Sequence, residues 1–382
     1  MALSRIDTTN MIEDVPQSKL DNNINFRNII INGDMSIAQR GTSFSASSSA
    51  IYTLDRFKYI NVDSPDNVYT ITQDTDVPSG QGFAKSLKVD VATADASLDS
   101  SDGTQIETKI EGQNLQYLNF GNSSAKSLTL SFWVKSNKTG TYVVRLLEPD
   151  ASSRMTSFAY TISSANTWEK KTISVPADTG GTINNDNGAG LNITWWLSAG
   201  TDYQSGSLAS TWQSYSNGDS AVGQVNLGDN TANEWYVTGV QLEAGSVASD
   251  FEFLPVDINL QRCQRYFYSI NAAGHSSPND GAYNRYISFS QSSNKGKQFL
   301  QFPVPMRTTP TFTADNITSS TVEGYNYNTN SGLTFSNVAA AEGGNLGQQV
   351  EITYTSGVSV GNTVAWRWNA SPNASFQFSS EL

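Results

Sequence analysis

Apolar residues recur at every second position through much of the chain. In 127–135 the residues Leu128, Leu130, Phe132 and Val134 sit two apart, the spacing of a strand that lays one face on a core. Similar short runs occupy 86–91, 140–147, 158–162, 169–175 and 192–197. Turn residues separate them: Gly80, Gly112, Gly121, Gly180-Gly181 and the run Asn184-Asn185-Asp186-Asn187-Gly188. The series opens on Asn28-Ile29-Ile30-Ile31, an apolar strand running into an Asn32-Gly33-Asp34 turn, and closes on the alternating strand 235–243. No helical periodicity competes between them. The pattern predicts an all-β fold: an antiparallel jelly-roll sandwich over 27–255.

Asp257 then caps the one convincing helix, 258–267, where Ile258, Cys263, Tyr266 and Phe267 follow helical spacing. Further strands follow at 266–270, 285–291, 298–304, 311–315, 349–354 and 363–368, so 256–382 reads as a smaller C-terminal β-sandwich domain joined by that short helix. Residues 1–26 are too polar to form a core alone. They make a tail or an attachment arm, with a short helix able to open at Pro16. No repeat of 20–50 residues appears, which argues against a solenoid or propeller.

Composition sharpens the class. The 382 residues hold 23 Lys+Arg against 35 Asp+Glu, a net charge of −12. With no basic run, the chain lacks the clustered cations that phosphate contacts need, so nucleic acid is not an expected partner. Charged residues are only 15% and aromatics 11%, a balance that suits strands with hydroxyl- and amide-rich turns. The single cysteine, Cys263, precludes a disulfide within the chain, which leaves packing or oligomerisation to stabilise it. No stretch is long enough to span a bilayer, and 1–26 lacks the apolar core of a signal peptide. Cytoplasmic synthesis without an export signal is expected.

Two resemblances follow from named residues. The opening Asn32-Gly33-Asp34-Met35 and the closing Tyr236-Val237-Thr238-Gly239-Val240-Gln241-Leu242 resemble the end strands of jelly-roll carbohydrate-binding modules. The likeness implies that the two segments lie near each other. In that family acidic residues on these strands often hold a structural calcium, but here Thr238 and Gly239 stand where the closing aspartates would be. A wider set is similar to phage tail-fibre and related virion proteins. It comprises the start Met1 to Asp7, Asn32 to Met35, Ala38-Gln39-Arg40-Gly41-Thr42, Leu54-Asp55-Arg56-Phe57, Gly239 to Gly245, Leu260 to Phe267, and Phe302-Pro303-Val304-Pro305-Met306-Arg307 with Pro310. The motifs run in that family's order. The resemblance implies a virion role, non-enzymatic and without a cofactor, as a homotrimer. Residues 1–26 would dock to other virion proteins, and a host-surface glycan or protein would be the receptor. A capsid decoration or head fibre with a purely structural role is the alternative, and a glycan depolymerase a further one.

Sugar binding needs aromatic planes to stack on pyranose rings, with amides and carboxylates for the hydroxyls. Trp195 and Trp196 are adjacent, so in a strand one ring faces in and the other out. Trp196, Tyr203, Trp212 and Tyr215, with Asp202, Gln204, Gln213 and Asn217 as polar neighbours, form one candidate glycan cluster. Tyr325 and Tyr327, alternating on a Gly/Asn-rich hairpin, form a second. The competing expectation for both is that the rings close the sandwich or fill a subunit interface. Trp366 and Trp368 are expected in the core. The 184–188 turn with Asp178 offers oxygens to a calcium ion or simply forms an Asx-rich turn, and no metal ligand set is predicted. His275, the only histidine, sits on a Gly/Ser loop without a nucleophile elbow, so neither a triad nor a histidine metal site is expected.

Overall fold

A computed structural model describes residues 26–46, 50–63, 66–271, 286–318, 322–368 and 374–382. The attachment arm, apart from Phe26, and His275 lie outside the described residues. The chain divides into two compact units, Met1–Val256 together with Leu382, and Asp257–Glu381.

The first unit contains strands β1 (Ser43–Ala46), β2 (Ile51–Tyr52), β3 (Lys58–Val62), β4 (Val68–Asp74), β5 (Ser86–Thr93) and β6 (Gly103–Glu111). These are followed by β7 (Leu128–Ser136), β8 (Gly140–Glu148), β9 (Arg154–Ile162), β10 (Glu169–Val175), β11 (Ala189–Ala199), β12 (Gln213–Ser214) and β13 (Glu234–Ala244). They build a six-stranded sheet, β1-β4-β5-β13-β7-β10, and a seven-stranded sheet, β12-β9-β8-β11-β6-β3-β2. Every pairing is antiparallel. Strands distant in sequence are neighbours, as β13 is between β5 and β7, which makes this the jelly-roll sandwich expected. Between the sheets lies one core, with Leu128, Leu130, Phe132 and Val134 from β7 facing Leu146, Ile193 and Trp195. The Phe132 ring meets Trp195 edge-on at 5.8 Å. A buried side chain of this size contributes about 2–3 kcal/mol by leaving water.

The opening segment differs from expectation: 28–35 forms no regular strand. Side chains replace the ladder. The Asn28 amide donates to the Val240 carbonyl at 3.1 Å and its Oδ1 accepts from the Leu242 amide, while Ile29 N–H reaches Leu242 O at 2.9 Å. The segment therefore lies against the closing strand, as the resemblance implies, but without strand geometry. Asn32, at φ 61°, holds Ile37 and Asp55 through both ends of its amide. Gly33 is obligatory because a Cβ there would stand 2.0 Å from the Val240 oxygen. Asp55 in turn binds the Gln39 backbone and side-chain nitrogens at 2.7 and 2.6 Å. These motif residues weld the end of the sandwich.

In the second unit, helix α1 (Val256–Gln264) leads into β14 (Phe267–Asn271), β15 (Tyr286–Ser292), β16 (Lys295–Gln301), β17 (Thr311–Asp315) and β18 (Val322–Asn326). Then come β19 (Ser331–Leu333), β20 (Phe335–Gly344), β21 (Gly347–Tyr354), β22 (Thr363–Trp368) and β23 (Ser375–Ser379). The helix begins at Val256, which places Asp257 in its first turn rather than at the cap. The sheets run β14-β23-β17 and β19-β18-β22-β15-β16-β21-β20. Their core gathers Phe302, Met306, Ile352, Val364, Trp366, Phe376 and Phe378, so Trp366 is in the core; the Trp368 side chain lies outside the described residues. Arg307 ties the end of the chain down by donating to the carbonyls of Ser380 and Glu381 at 2.6 and 2.8 Å.

Candidate functional site

Along β11 the odd-numbered residues Leu191, Ile193 and Trp195 enter the core, so Asn192, Thr194 and Trp196 point to the other side. The same parity on β6 and β8 puts Gln105, Glu107 and Lys109, and Arg145 and Leu147, on that outer face. Register then aligns the side chains in rows across the strands. One row reads Lys58, Glu107, Thr194, Arg145, Ser157. Beside it run Ile60, Gln105 and Trp196 on one side, and Lys109, Asn192, Leu147, Met155 and Gln213 on the other. Polar residues dominate, yet Gln105, Glu107, Arg145, Asn192 and Thr194 are all buried.

The cover is the stretch after β11. Tyr203 packs on Trp196 with ring centroids 4.9 Å apart, and Val143, Ala199 and Ala221 complete a small apolar cluster on the outer side of the sheet. Backbone bonds clamp the cover down: Ala221 N–H to Tyr203 O, Ser157 N–H to Ala209 O and Tyr215 N–H to Ser153 O, all 2.8 Å. Of the polar neighbours expected to meet a ligand, several fasten this segment instead. Gln204 donates to Ala199 O at 2.5 Å, and Gln213 to the Asp219 carboxylate at 2.8 Å.

This geometry separates the expected aromatic cluster. Trp196 does face away from the core, but at 0% exposure it offers no plane to a ligand, because Tyr203 and its loop roof it over. Tyr203 is 9% exposed and serves as that roof. Trp212 belongs to the main core: its indole N–H donates to Pro176 O at 2.8 Å and Phe120 meets its ring edge-on at 5.9 Å. Tyr215, 40% exposed, is the member open to solvent. Its hydroxyl donates to Asn217 Oδ1 at 2.6 Å.

The group that organises the site is Arg145, which the sequence reading passed over. Its guanidinium carbon lies 5.6 Å from the Trp196 ring centroid and 5.6 Å from that of Tyr215, so the cation sits between the two rings. Its Nη2 makes one long contact, to Thr194 Oγ1 at 3.4 Å, and its Nε is buried without a partner. Burial pushes the guanidinium pKa down, opposed by the Tyr215 hydroxyl and the Glu107 charge. Asn192 Oδ1, in the adjoining row, is also buried and unpartnered. Lys109 reaches Glu107 at 3.5 Å. A signal was there to find: Gln105, Glu107 and Lys109 alternate with Thr104, Ile106 and Thr108, and Arg145 interrupts an apolar strand at the outward parity.

A second buried charged group lies at the end of β8. Glu148 is fully buried; burial first, then the charge of the nearby Asp178 and a hydrogen bond to it, lift its pKa to about 9. Burial alone would raise Asp178 too, but Arg154 donates to it at 2.6 and 2.9 Å and the Gly180 amide adds a third bond, and together they hold it below the usual range. The 184–188 turn has its own partners, with Gly188 N–H on Asp186 Oδ1 and Asn184 on Asp150. Among the described residues no group of three or more His, Cys, Asp or Glu side chains could hold a metal ion.

In the second unit Tyr325 and Tyr327 meet edge-on at 5.2 Å. Tyr325 pairs with Ala365, which pairs with Ile287, and Phe289 pairs with Thr363 and Lys297. Tyr327, Ile287, Phe289 and Phe299 are exposed. This outer face is aromatic and open, with Lys295 and Lys297 on Glu351 at 2.7 and 3.6 Å as ion pairs.

No family model and no curated protein matches the chain. Solved structures similar to it include the enzymatically active domain of tailspike protein 4 of bacteriophage CBA120, at 13% identity and TM-score 0.31, covering 57% of this chain. The match spans only 21% of the tailspike chain. A family 4 carbohydrate-binding module matches at 14% identity and TM-score 0.27 over 56% of this chain and 97% of its own. The family 11 module of Clostridium thermocellum, solved with a β-1,3-1,4-mixed-linked tetrasaccharide, matches at 10% identity and TM-score 0.28 over 55% and 99%. Likeness at this level carries no argument about what this chain binds.

Proposed function

We propose that this protein is a glycan-binding component of a phage appendage, a tail fibre, that binds through the outer face of the seven-stranded sheet in its first unit. One observation carries the reading: Arg145 lies between Trp196 and Tyr215, and its Nε and the Asn192 Oδ1 in the next row are both buried without partners. Buried polar atoms without partners cost about 1–3 kcal/mol each, and a ligand's hydroxyls and ring oxygens would satisfy them. Tyr215 supplies the exposed ring on which a pyranose can stack. The ordered fibre-like motifs, Asn32 to Phe57 and Phe302 to Arg307, support the appendage assignment. In that setting residues 1–26 attach the chain to other virion proteins, and trimeric presentation multiplies weak contacts.

We read the chain as a binder and not an enzyme. The Glu148 and Asp178 carboxyls have the divergent proton affinities of an acid–base pair, but both are sealed from solvent. A purely structural role is the second reading, favoured by how fully Asn32, Gly33 and Asp55 are spent on internal bonds.

Tyr215→Ala tests the choice, because the ring is exposed and its loss should leave the fold intact. The expected result is about a tenfold loss of adsorption to host cells, or of binding on a glycan panel, by particles that assemble normally. Unchanged adsorption would favour the structural reading. Loss of polymer viscosity on incubation with the purified protein would instead establish a depolymerase.

A further inference from the structure

The outer-face rows of the first unit carry Lys58, Lys109 and Arg145 against the single carboxylate Glu107. These rows carry three cations to one carboxylate, with the Asp219 carboxylate on Gln213 at their margin, in a chain whose net charge is −12. Glu107 is already engaged by Lys109 at 3.5 Å. Arg145, by contrast, is buried and has no carboxylate within ion-pair distance; it contacts the Thr194 hydroxyl at 3.4 Å and the Tyr215 hydroxyl supports its charge, while Glu107 acts on it only at longer range. A buried cation with so little compensating charge is costly in apolar surroundings. The flanking rings of Trp196 and Tyr215, each with its centroid 5.6 Å from the guanidinium carbon, offset only part of that cost. A guanidinium also presents a planar fork of N–H donors that matches a carboxylate.

Resting on the glycan-binding reading above, we infer that the ligand is an acidic sugar, a glycan bearing a carboxylate that pairs with Arg145 while its ring stacks on Tyr215. Asn192 Oδ1, an acceptor, would then take a hydroxyl of the same residue or its neighbour. The class comprises uronic-acid polymers and sialylated chains, and the shared element is a carboxylate attached to a pyranose ring. A neutral glycan would give Arg145 no charge beyond the distant one of Glu107.

The test uses the full wild-type chain and two matched pairs of probes: a galacturonic acid trimer against the corresponding galactose trimer, and sialyllactose against lactose. Titration calorimetry at low and at physiological salt should show the acidic member of at least one pair binding about tenfold or more tightly than its neutral partner. That margin should shrink as salt rises, because an ion pair at a partly open face is screened. Arg145→Gln should abolish the preference, and Arg145→Lys, which keeps charge but loses the fork, should retain part of it. If Arg145→Gln fails to fold, the wild-type comparison of the two probes still decides. Neutral and acidic members binding equally, with binding still lost in Tyr215→Ala, would overturn the acidic-sugar inference and leave the face standing. Failure of a broad glycan panel to bind at all would overturn the face as well.

Discussion

Two outer sheet faces in this molecule use aromatic residues in opposite ways. On the seven-stranded sheet of the first unit, Trp196 points away from the core and is then roofed by Tyr203 and its loop, leaving a recessed face of buried polar groups with Tyr215 at its edge. On the seven-stranded sheet of the second unit, Ile287, Phe289, Phe299 and Tyr327 stay exposed, with no comparable roof among the described residues. Alternation alone makes both faces look like sugar platforms. What separates them is the chain that follows: after β11 a long Ser/Gly-rich segment folds back over its own strand, whereas β15 and β16 are joined by a tight turn at Asn294 that covers nothing.

The largest effect should come from the roofed ring. Trp196→Ala removes a fully buried indole and should cost about 3–5 kcal/mol of stability, read from chemical denaturation of the first unit. Phe289→Ser on the open face removes a ring that is 66% exposed and should shift stability by less than about 0.5 kcal/mol. Comparable losses from the two would erase the distinction between the faces.

Glu148 sharpens the same contrast from the core side. Its folded pKa, about 9, lies above the ordinary 4.5, so the folded state holds a proton that the unfolded chain gives up. Stability should therefore fall as pH rises from about 4.5 to about 9, by on the order of 1–3 kcal/mol. Asp178 has the opposite sign: its depressed pKa contributes stability that is lost as pH falls below the ordinary carboxylate range. Glu148→Gln should flatten the alkaline limb of a thermal-melt profile and leave the acid limb. An unaltered alkaline limb would mean that Glu148 ionises without penalty.

Smallest in stability is Tyr215→Ala, expected within about 0.5 kcal/mol of the wild type because the ring is exposed. Its signature belongs to binding alone. A large loss of stability would make Tyr215 part of the roof and shift the ligand-facing role wholly onto Arg145 and Asn192.

Sequence periodicity was enough to place β5, β7, β8, β9, β10, β11 and β13, because in each the apolar residues recur at alternate positions or in short runs, although β7, β8, β11 and β13 are buried on both faces. It missed β6, whose inward row Thr104, Ile106, Thr108 and Ile110 is half threonine and alternates with polar residues, so that no apolar row stands out. It overread 28–35, an apolar run that packs through asparagine side chains and a φ of 61° at Asn32 instead of a ladder. Among the candidate site residues, the position of Trp196 on the outer face was legible from Trp195-Trp196. Its roofing was not, because that depends on where the segment after β11 folds. Arg145 was visible as a charge inside an apolar strand, but its place between two rings is set by register with β11 and by the loop that carries Tyr215, and neither is local in sequence.

We propose the outer face of β6, β8 and β11 as the ligand-binding surface. Hydrogen–deuterium exchange of the full chain, with and without saturating sialyllactose or galacturonic acid trimer, tests it most directly. Added protection is expected in peptides covering 103–111, 140–148 and 213–219, with 286–301 and 322–333 unchanged. Protection confined to those last two segments would contradict it and move the binding surface to the open aromatic face of the second unit.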